Sequence, residues 1–411
     1  MKKLLFLFLL TPLLVLAQEG KGIHFEDGVS WSAIQAKAKA ENKYIFMDCY
    51  TSWCGPCKYM ATQVFPQEAS GKYFNDKFIS VSVQLDTSKA DNAAVKSWYA
   101  DAHALAEQYH VRAYPTFLIF APDGHPVHRL VGSSETAEVF NGRVAESFDP
   151  NKQYYTLLEQ YEKGKKDSAF LHKLANATWG AYDKQNGYAV SAAYLATQQD
   201  LYTKANLEFI NSYLATSTDP GFDVLVKDPK RVDKVLGEGK AGQKIVQVVI
   251  NSEMRPVFYK AGAGAPDWAA LQKELDHKYP QQSEEIIAQS KVMYCQQKND
   301  WPGFQQAIIA YMDKYGAHSS PEALNDYAWT VFQHCPDMTC VSEALEWSKR
   351  SFKDQPNPAF MDTYANILYK MGKKDDAIAW EEKAVSMVSE GEKSTYQQTL
   401  DKMKKGEKTW D

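Results

Sequence analysis

Trp53-Cys54-Gly55-Pro56-Cys57-Lys58 places two cysteines, separated by two residues, directly after the apolar run Tyr44 to Tyr50. The apolar run is typical of a buried strand, and the residues from Pro56 onward suit a helix. Cys54 is therefore predicted at a helix N-terminus, where unpaired N–H groups and the helix dipole stabilise a thiolate. We expect Cys54 to act as nucleophile and Cys57, one turn further in, to be the more buried, resolving thiol.

A Cys-x-x-Cys pair can also be half of a tetrahedral zinc site. The sequence has no second Cys-x-x-Cys pair and no nearby pair of histidines to complete such a site. The position between a strand and a helix favours redox chemistry. We therefore expect no metal, and no cofactor other than a redox-active Cys54–Cys57 disulfide.

Three features together resemble the thioredoxin family: Asp48, the Cys-Gly-Pro-Cys core and the segment Val111 to Phe117. The resemblance extends from about residue 25 to residue 144. It implies a central sheet flanked by helices, and a cis Pro115 that faces the disulfide and presents the backbone of Tyr114 to an extended substrate peptide. An ordinary trans turn at Tyr114-Pro115 is the alternative.

The resemblance also implies a substrate-binding surface around the two cysteines. Trp53 offers an apolar docking surface beside the nucleophile, although half-buried tryptophans are common. Gly55 and Pro56, between the cysteines, belong to the same predicted surface. Together with Tyr114 and Pro115 these residues are the predicted substrate-binding set.

Asp48 matches the family's buried acid, which accepts the proton of the resolving cysteine. A carboxyl inside an apolar strand should have a raised pKa, which suits that role near neutral pH. The chain departs from the family pattern at Ser82, where a buried lysine often pairs with the acid. Asp48 as an ordinary polar residue at a strand end is the alternative. Cys49 should face the other side of the strand as an inert buried thiol.

The first residues read as an export signal. Lys2 and Lys3 precede an apolar run that ends at Ala17, a small residue suited to cleavage. Residues 1–17 are thus a predicted signal peptide, and a retained membrane anchor is the alternative. We expect a periplasmic or extracytoplasmic protein in a compartment where disulfides persist.

Length and composition limit the remaining possibilities. A chain of 411 residues with 45% hydrophobic content can form several domains, and its formal net charge of −5 gives no basic surface for nucleic acid. The predicted domains are residues 18–150, thioredoxin-like; 151–290, irregular helices; and 291–411, helical repeats. The predicted fold class is an α/β thioredoxin fold followed by an all-α, tetratricopeptide-like region.

The repeat prediction rests on small residues at helical spacing between residues 358 and 388. Ala365, Gly372, Ala377 and Ala384 resemble the helix-turn-helix period of the tetratricopeptide family. An earlier copy has small residues at positions 328 and 344, and a weaker one has Cys295 as a small buried residue. Two further segments, residues 222–226 and 245–250, could be strands, but helices are predicted there.

Cys335 and Cys340 lie in a predicted turn between two helices of this region. Four residues including a proline separate them, so in an oxidising compartment they could close a structural disulfide. A second redox centre that relays electrons to Cys54 and Cys57 is the alternative.

The sequence predicts an exported thiol:disulfide oxidoreductase that reduces or isomerises disulfides of extracytoplasmic proteins. Its expected partners are protein thiols and disulfides, a membrane electron donor, and proteins bound by the helical repeats. The alternative is a helical-repeat binding or scaffold protein whose thioredoxin-like domain is not catalytic. An intact cysteine pair favours the enzyme, because a structural domain has no need of one.

Overall fold

The computed structural model describes residues 21–260, 264–389 and 391–410. The predicted signal peptide, residues 1–17, lies outside the described residues. The described residues form two compact units, and the division between them falls after residue 201. Among the helices described, none is both long and apolar enough to cross a membrane.

A five-stranded mixed sheet organises the first unit, in the order β1-β3-β2-β4-β5. The strands are β1 (Phe25–Glu26), β2 (Tyr44–Tyr50), β3 (Phe78–Gln84), β4 (Thr116–Phe120) and β5 (Pro126–Val131). The central strand β2 pairs in parallel with β3 and antiparallel with β4. Strands β4 and β5 form the predicted antiparallel hairpin, so the predicted α/β fold is confirmed.

Helices flank this sheet. They are α1 (Trp31–Glu41), α2 (Gly55–Tyr59), α3 (Glu68–Phe74), α4 (Ala93–Ser97), α5 (Tyr99–Gln108) and α6 (Ala137–Ala145). A π-helical turn, Met60–Val64, continues α2, and a 3-10 turn, Glu146–Phe148, continues α6. The segment after β3 is helical, as its apolar spacing predicts.

Two apolar cores lie on opposite faces of the sheet, because successive side chains of a strand point to opposite sides. Met47 and Cys49 of β2 belong to one core, and Phe46 belongs to the other. The Phe46 ring lies 4.8 Å from that of Phe74 and 5.5 Å from that of Phe117, measured between centroids. Cys49 is 1% exposed, and burial raises the pKa of its thiol, as expected for an inert cysteine.

The first unit extends beyond the predicted domain boundary at residue 150, because three more helices belong to it. These are α7 (Tyr154–Glu162), α8 (Ser168–Gly180) and α9 (Lys184–Ala196). The backbone N–H of Tyr154 donates to Nδ1 of His128 in β5 at 3.0 Å, and the Tyr154 hydroxyl donates to Oδ2 of Asp183 at 2.6 Å. Tyr154 thereby joins the edge strand to the start of α9.

Every regular element described in the second unit is helical. The α-helices are α10 (Lys204–Tyr213), α11 (Phe222–Lys227), α12 (Pro229–Leu236), α13 (Lys240–Val249), α14 (Arg255–Lys260), α15 (Trp268–Lys278), α16 (Ser283–Gln297), α17 (Trp301–Tyr315), α18 (Pro321–His334), α19 (Met338–Ser351), α20 (Pro358–Lys370), α21 (Lys374–Met387) and α22 (Lys393–Lys405). A π turn, Ile250–Met254, and a 3-10 turn, Gly316–His318, complete the set. The two segments that could have been strands are α11 and α13, so the helix prediction is confirmed.

Consecutive helices of the second unit pack as pairs: α16 with α17, α18 with α19, and α20 with α21. Ala328, Ala344, Ala365 and Ala377 are fully buried in these pairs, which lets the helices approach closely. Gly372 follows α20 with a φ of +80°, a conformation that favours glycine. The pairs fall where the small residues predict them, and the tetratricopeptide character of the repeat stays a prediction.

The predicted Cys335–Cys340 disulfide is not formed in this structure, where both residues are buried free cysteines. The Cys335 thiol instead donates to Oε1 of Gln305 at 3.2 Å. Cys340 is fully buried in the apolar core near the start of α19, and burial raises the pKa of its thiol. Cys335 is also a side-chain hydrogen-bond partner of Cys340, so the two free thiols lie side by side. Cys295 packs at the edge of the same core, as its small size predicts.

Candidate functional site

Cys54 and Cys57 are joined by a disulfide at the beginning of α2. Cys54 is the N-cap of this helix, and its Sγ accepts a hydrogen bond from the backbone N–H of Cys57 at 3.1 Å. Its own N–H donates to the carbonyl of Thr51 at 3.2 Å, which closes the turn after β2. The predicted junction of strand, turn and helix therefore places a backbone donor on the Cys54 sulfur, where it favours a negative charge.

The expected difference in burial between the two cysteines is wrong for this disulfide form. Cys54 is 3% exposed and Cys57 is 6% exposed. Both residues of the disulfide are therefore almost fully buried at the start of the helix. The hydrogen bond to Cys54 Sγ, and not exposure, distinguishes the two sulfurs in this structure.

The predicted substrate-binding residues lie around the disulfide. The indole of Trp53 is 68% exposed, and its ring stands perpendicular to that of Tyr114, with 5.8 Å between centroids. The Tyr114-Pro115 peptide is cis, as the family resemblance implies. Gly55 and Pro56 are exposed. The structure therefore brings Trp53 and Tyr114 together beside the cysteine pair, on an accessible surface.

Asp48 lies in β2 on the face opposite Cys49 and is 5% exposed. Its Oδ2 accepts a hydrogen bond from the hydroxyl of Ser82 at 3.0 Å, across the parallel pairing of β2 with β3. Its Oδ1 has no partner within the described part of the chain. Burial raises the pKa of Asp48 to about 7, and the Ser82 hydrogen bond opposes this change. Ser82 thus stands beside the acid, as the sequence alignment predicts.

A cleft borders this buried acid. Asp48 and Ser82 line it together with Ala61, Phe65 and Ser80. Ala61 belongs to the π turn that continues the active-site helix. The carboxyl group therefore sits next to space that water can enter, between the sheet and the segment that follows the cysteine pair.

Asp86 contributes to the site, although its sequence position alone gave it no role. Its Oδ1 accepts from the N–H of Ser52 at 2.8 Å, and its Oδ2 accepts from the Ser52 hydroxyl at 2.5 Å. Ser52 immediately precedes Trp53, so Asp86 holds the turn that carries the cysteine pair. A signal for this contact existed: β2 and β3 are parallel, so polar residues just after each strand meet at one edge of the sheet.

No group of three or more His, Cys, Asp or Glu residues suited to a metal ion occurs among the residues that the structure describes. Cys54 and Cys57 are bonded to each other and so are not available as thiolate ligands here. The chemistry that this arrangement can perform is exchange of the disulfide with an external thiol, which needs only the two sulfurs and a proton acceptor.

Known proteins are similar to the part of the chain that carries this site. A family profile described as a thioredoxin-like domain matches residues 32–146. Thioredoxin H-type from Oryza sativa subsp. indica is 32% identical over 117 residues, which are 28% of this chain and 80% of that protein. Chloroplastic thioredoxin Y from Oryza sativa subsp. japonica is 35% identical over 104 residues, 25% of this chain and 51% of that protein, so the chain spans about half of its length. The oxidised C-terminal domain of Neisseria meningitidis DsbD is 20% identical, with 29% of this chain and 97% of that domain aligned and a TM-score of 0.23.

Proposed function

This chain belongs to the thioredoxin family, and we propose that it is an exported thiol:disulfide oxidoreductase that reduces or isomerises disulfides of extracytoplasmic proteins. The observation that carries the proposal is the Cys54–Cys57 disulfide at the start of α2, with a backbone N–H on the Cys54 sulfur and Trp53 and Tyr114 beside it. These are the parts that a thiol exchange with a protein requires.

The reaction begins from the reduced pair. The Cys54 thiolate attacks one sulfur of a substrate disulfide, which forms a mixed disulfide and releases the other substrate sulfur as a thiolate. Cys57 then attacks the Cys54 sulfur, which releases the second substrate thiolate and forms the disulfide seen in the structure. Two electrons pass from the cysteine pair to the substrate.

Asp48 supports the second step as the acceptor of the Cys57 proton. Its raised pKa, about 7, lets it take up and release a proton near neutral pH. The unpartnered Oδ1 and the neighbouring cleft support this role, because the acceptor oxygen is not occupied by another donor within the described residues and water can carry the proton onward. No cofactor beyond the cysteine pair is needed.

Protein substrates would bind over Trp53, Gly55, Pro56, Tyr114 and Pro115. The exposed indole offers an apolar surface for the segment that flanks the substrate cysteine. The exposed Gly55-Pro56 pair adds no side-chain donor between the two thiols, which favours a stable disulfide and thus a reducing or isomerising protein over an oxidant. Continued reduction requires an electron donor at the membrane.

The paired helices of the second unit would bind further protein partners. The alternative function, a scaffold with an inactive thioredoxin-like domain, assigns all activity to those helices. Turnover of insulin disulfides by the mature protein separates the two functions. We expect measurable reduction of insulin in the presence of dithiothreitol, and absence of turnover would favour the scaffold.

A trapping experiment tests the assigned roles. Cys57→Ser should accumulate mixed disulfides with cell-envelope proteins through Cys54, because the resolving thiol is absent, whereas Cys54→Ser should trap none. Cys295→Ser, which removes a half-buried cysteine of the second unit, is the matched control and should behave as wild type. Equal trapping by Cys54→Ser and Cys57→Ser would contradict the assignment.

A further inference from the structure

A short loop between β5 and α6 lies beside the active site, and one arginine binds most of it. We call residues 131–135, the last residue of β5 and the four that follow it, the β5–α6 loop. Arg143 of α6 donates from Nη2 to the carbonyl of Val131 at 2.7 Å, and from Nη1 to the carbonyls of Gly132 and Ser133, each at 3.1 Å. Nη1 also donates to the hydroxyl of Ser134 at 2.8 Å. One guanidinium thus binds four consecutive residues of the loop.

The opposite side of the β5–α6 loop contacts the active-site segments. The N–H of Gly132 donates to the carbonyl of Pro115 at 2.9 Å. The hydroxyl of Tyr59, the last residue of α2, donates to the carbonyl of Glu135 at 2.9 Å. The N–H of Ser134 contacts Sδ of Met60 at 3.3 Å. The loop therefore connects the proline that follows Tyr114 to the helix that carries the cysteine pair.

The charge of Arg143 makes these bonds strong. Burial lowers the pKa of Arg143 and Glu146 opposes this change, yet a guanidinium stays protonated in proteins. Hydrogen bonds from a charged donor are roughly twice as strong as bonds between neutral groups. Removal of the guanidinium would leave loop carbonyls without their partners, and the loop would lose its fixed position.

The loop lies among exposed apolar side chains. Tyr59 is 43% exposed and Val139, in the first turn of α6, is 52% exposed. Trp53 and Tyr114 stand beside the cysteine pair, while Tyr59 and Val139 stand near the loop. Gly132 has a φ of +87°, and a Cβ at this position would meet no atom within 4 Å, so the loop presents open space there. The loop is thus tied both to the proline next to Tyr114 and to the helix of the cysteine pair, the two segments that carry the proposed substrate-binding residues.

We propose that Arg143 is a positioning residue for protein substrates, because it holds the β5–α6 loop, which is bonded both to Pro115 and to Tyr59 of the active-site helix. This inference rests on the proposed oxidoreductase function. The chemical class of ligand is an extended polypeptide with apolar residues next to its cysteine. A small disulfide makes few contacts beyond the cysteine pair, so its reaction should depend little on the position of the loop.

The test compares a protein substrate with a small one in the full-length mature protein. For Arg143→Gln we expect the KM for insulin to rise at least fivefold while kcat stays within twofold. The rate with 5,5′-dithiobis(2-nitrobenzoate) and the midpoint of equilibration with glutathione should match wild type. Lys152→Gln, an exposed residue that loses the same charge, should change none of these values.

Two further variants keep the test decisive if Arg143→Gln fails to fold. Arg143→Lys retains the charge with fewer donors and should give an intermediate KM. Tyr59→Phe removes only the hydroxyl bond to the loop from the opposite side and should raise KM alone, by a smaller factor. An unchanged KM in these variants, or an equal loss with both substrates, would overturn the positioning role. A wild-type protein inactive with both substrates would instead overturn the proposed function, and the inference with it.

Discussion

Acidification should weaken the attachment of α7 to β5, because that attachment uses a neutral histidine. His128 is 5% exposed, and its Nδ1 accepts the N–H of Tyr154 at 3.0 Å. If Nδ1 were protonated, its N–H would face the N–H of Tyr154, and the hydrogen bond between them would be lost. Burial lowers the pKa of His128 from 6.5 to about 4; the positive charge of Arg143 acts in the same direction, and Glu146 opposes it.

The size of the effect follows from the two pKa values. The folded pKa of His128 lies below the unfolded one, so its contribution to stability is fully present above 6.5 and is lost as the pH falls through about 4. At 1.36 kcal/mol for each pKa unit, the free energy of unfolding should drop by about 3 kcal/mol between pH 8 and pH 4. This is a large part of the roughly 5–15 kcal/mol typical of a domain.

The assay compares wild type with His128→Asn. Asparagine offers an acceptor oxygen near the position of Nδ1 and takes up no proton, so the variant should lack this pH dependence. Native-state hydrogen exchange with urea, measured on peptides that cover β5, gives the local free energy at each pH. The difference between the two proteins removes the contributions of other groups. His24→Asn, at an exposed position, serves as the matched control.

A histidine NMR titration measures the pKa itself. The resonance missing from the His128→Asn spectrum should titrate near pH 4 in wild type. A pKa of 6 or higher, or equal pH dependence in wild type and His128→Asn, would refute the assignment of a buried, neutral histidine at this contact.

Two further predictions concern the acid and the extent of the first unit. Asp48→Asn should stabilise the oxidised protein against urea by up to about 4 kcal/mol at pH 8 but little at pH 4. The cost of Asp48 begins as the pH rises above its unfolded pKa of 3.8, where the unfolded chain ionises, and is complete above the folded pKa of about 7. Equal effects at both pH values would contradict this. The fragment 21–201 should unfold cooperatively, whereas the fragment 21–150 should be less stable by roughly 3 kcal/mol or more, because it lacks the buried Tyr154 and its bond to His128. Urea unfolding followed by circular dichroism compares the two fragments. Equal midpoints would show that α7–α9 add no stability to the sheet domain.

The local geometry of the site could be predicted because it follows from neighbours in sequence. The apolar run before Cys54, the turn and Pro56 specify a strand, a cap and a helix start, and these short-range rules place the cysteine sulfurs. The period of two in β2 likewise puts Asp48 and Cys49 on opposite faces. Ser82 beside Asp48 follows once β2 and β3 are aligned.

The remaining features depend on contacts between distant residues that carry no periodic signal. His128 and Tyr154 are 26 positions apart in sequence, so neither composition nor periodicity predicted that α7 packs on the sheet. Cys335 interacts with Cys340, its neighbour in sequence, but its thiol also donates to Gln305, 30 positions away. From the sequence alone, Arg143 is predicted to be a surface residue of an amphipathic helix. Its hydrogen bonds to the β5–α6 loop appear only in the structure.

The sheet of the first unit has two edges, and both are poor templates for pairing with another chain. On one side β1 spans only Phe25–Glu26. On the other, β5 begins at Pro126, which has no N–H to donate, and α7 packs against the strand. A protein that meets partly folded chains, as the proposed function requires, is continually exposed to free strands. Because neither sheet edge pairs readily with another strand, the protein has a lower risk of aggregating together with its substrates.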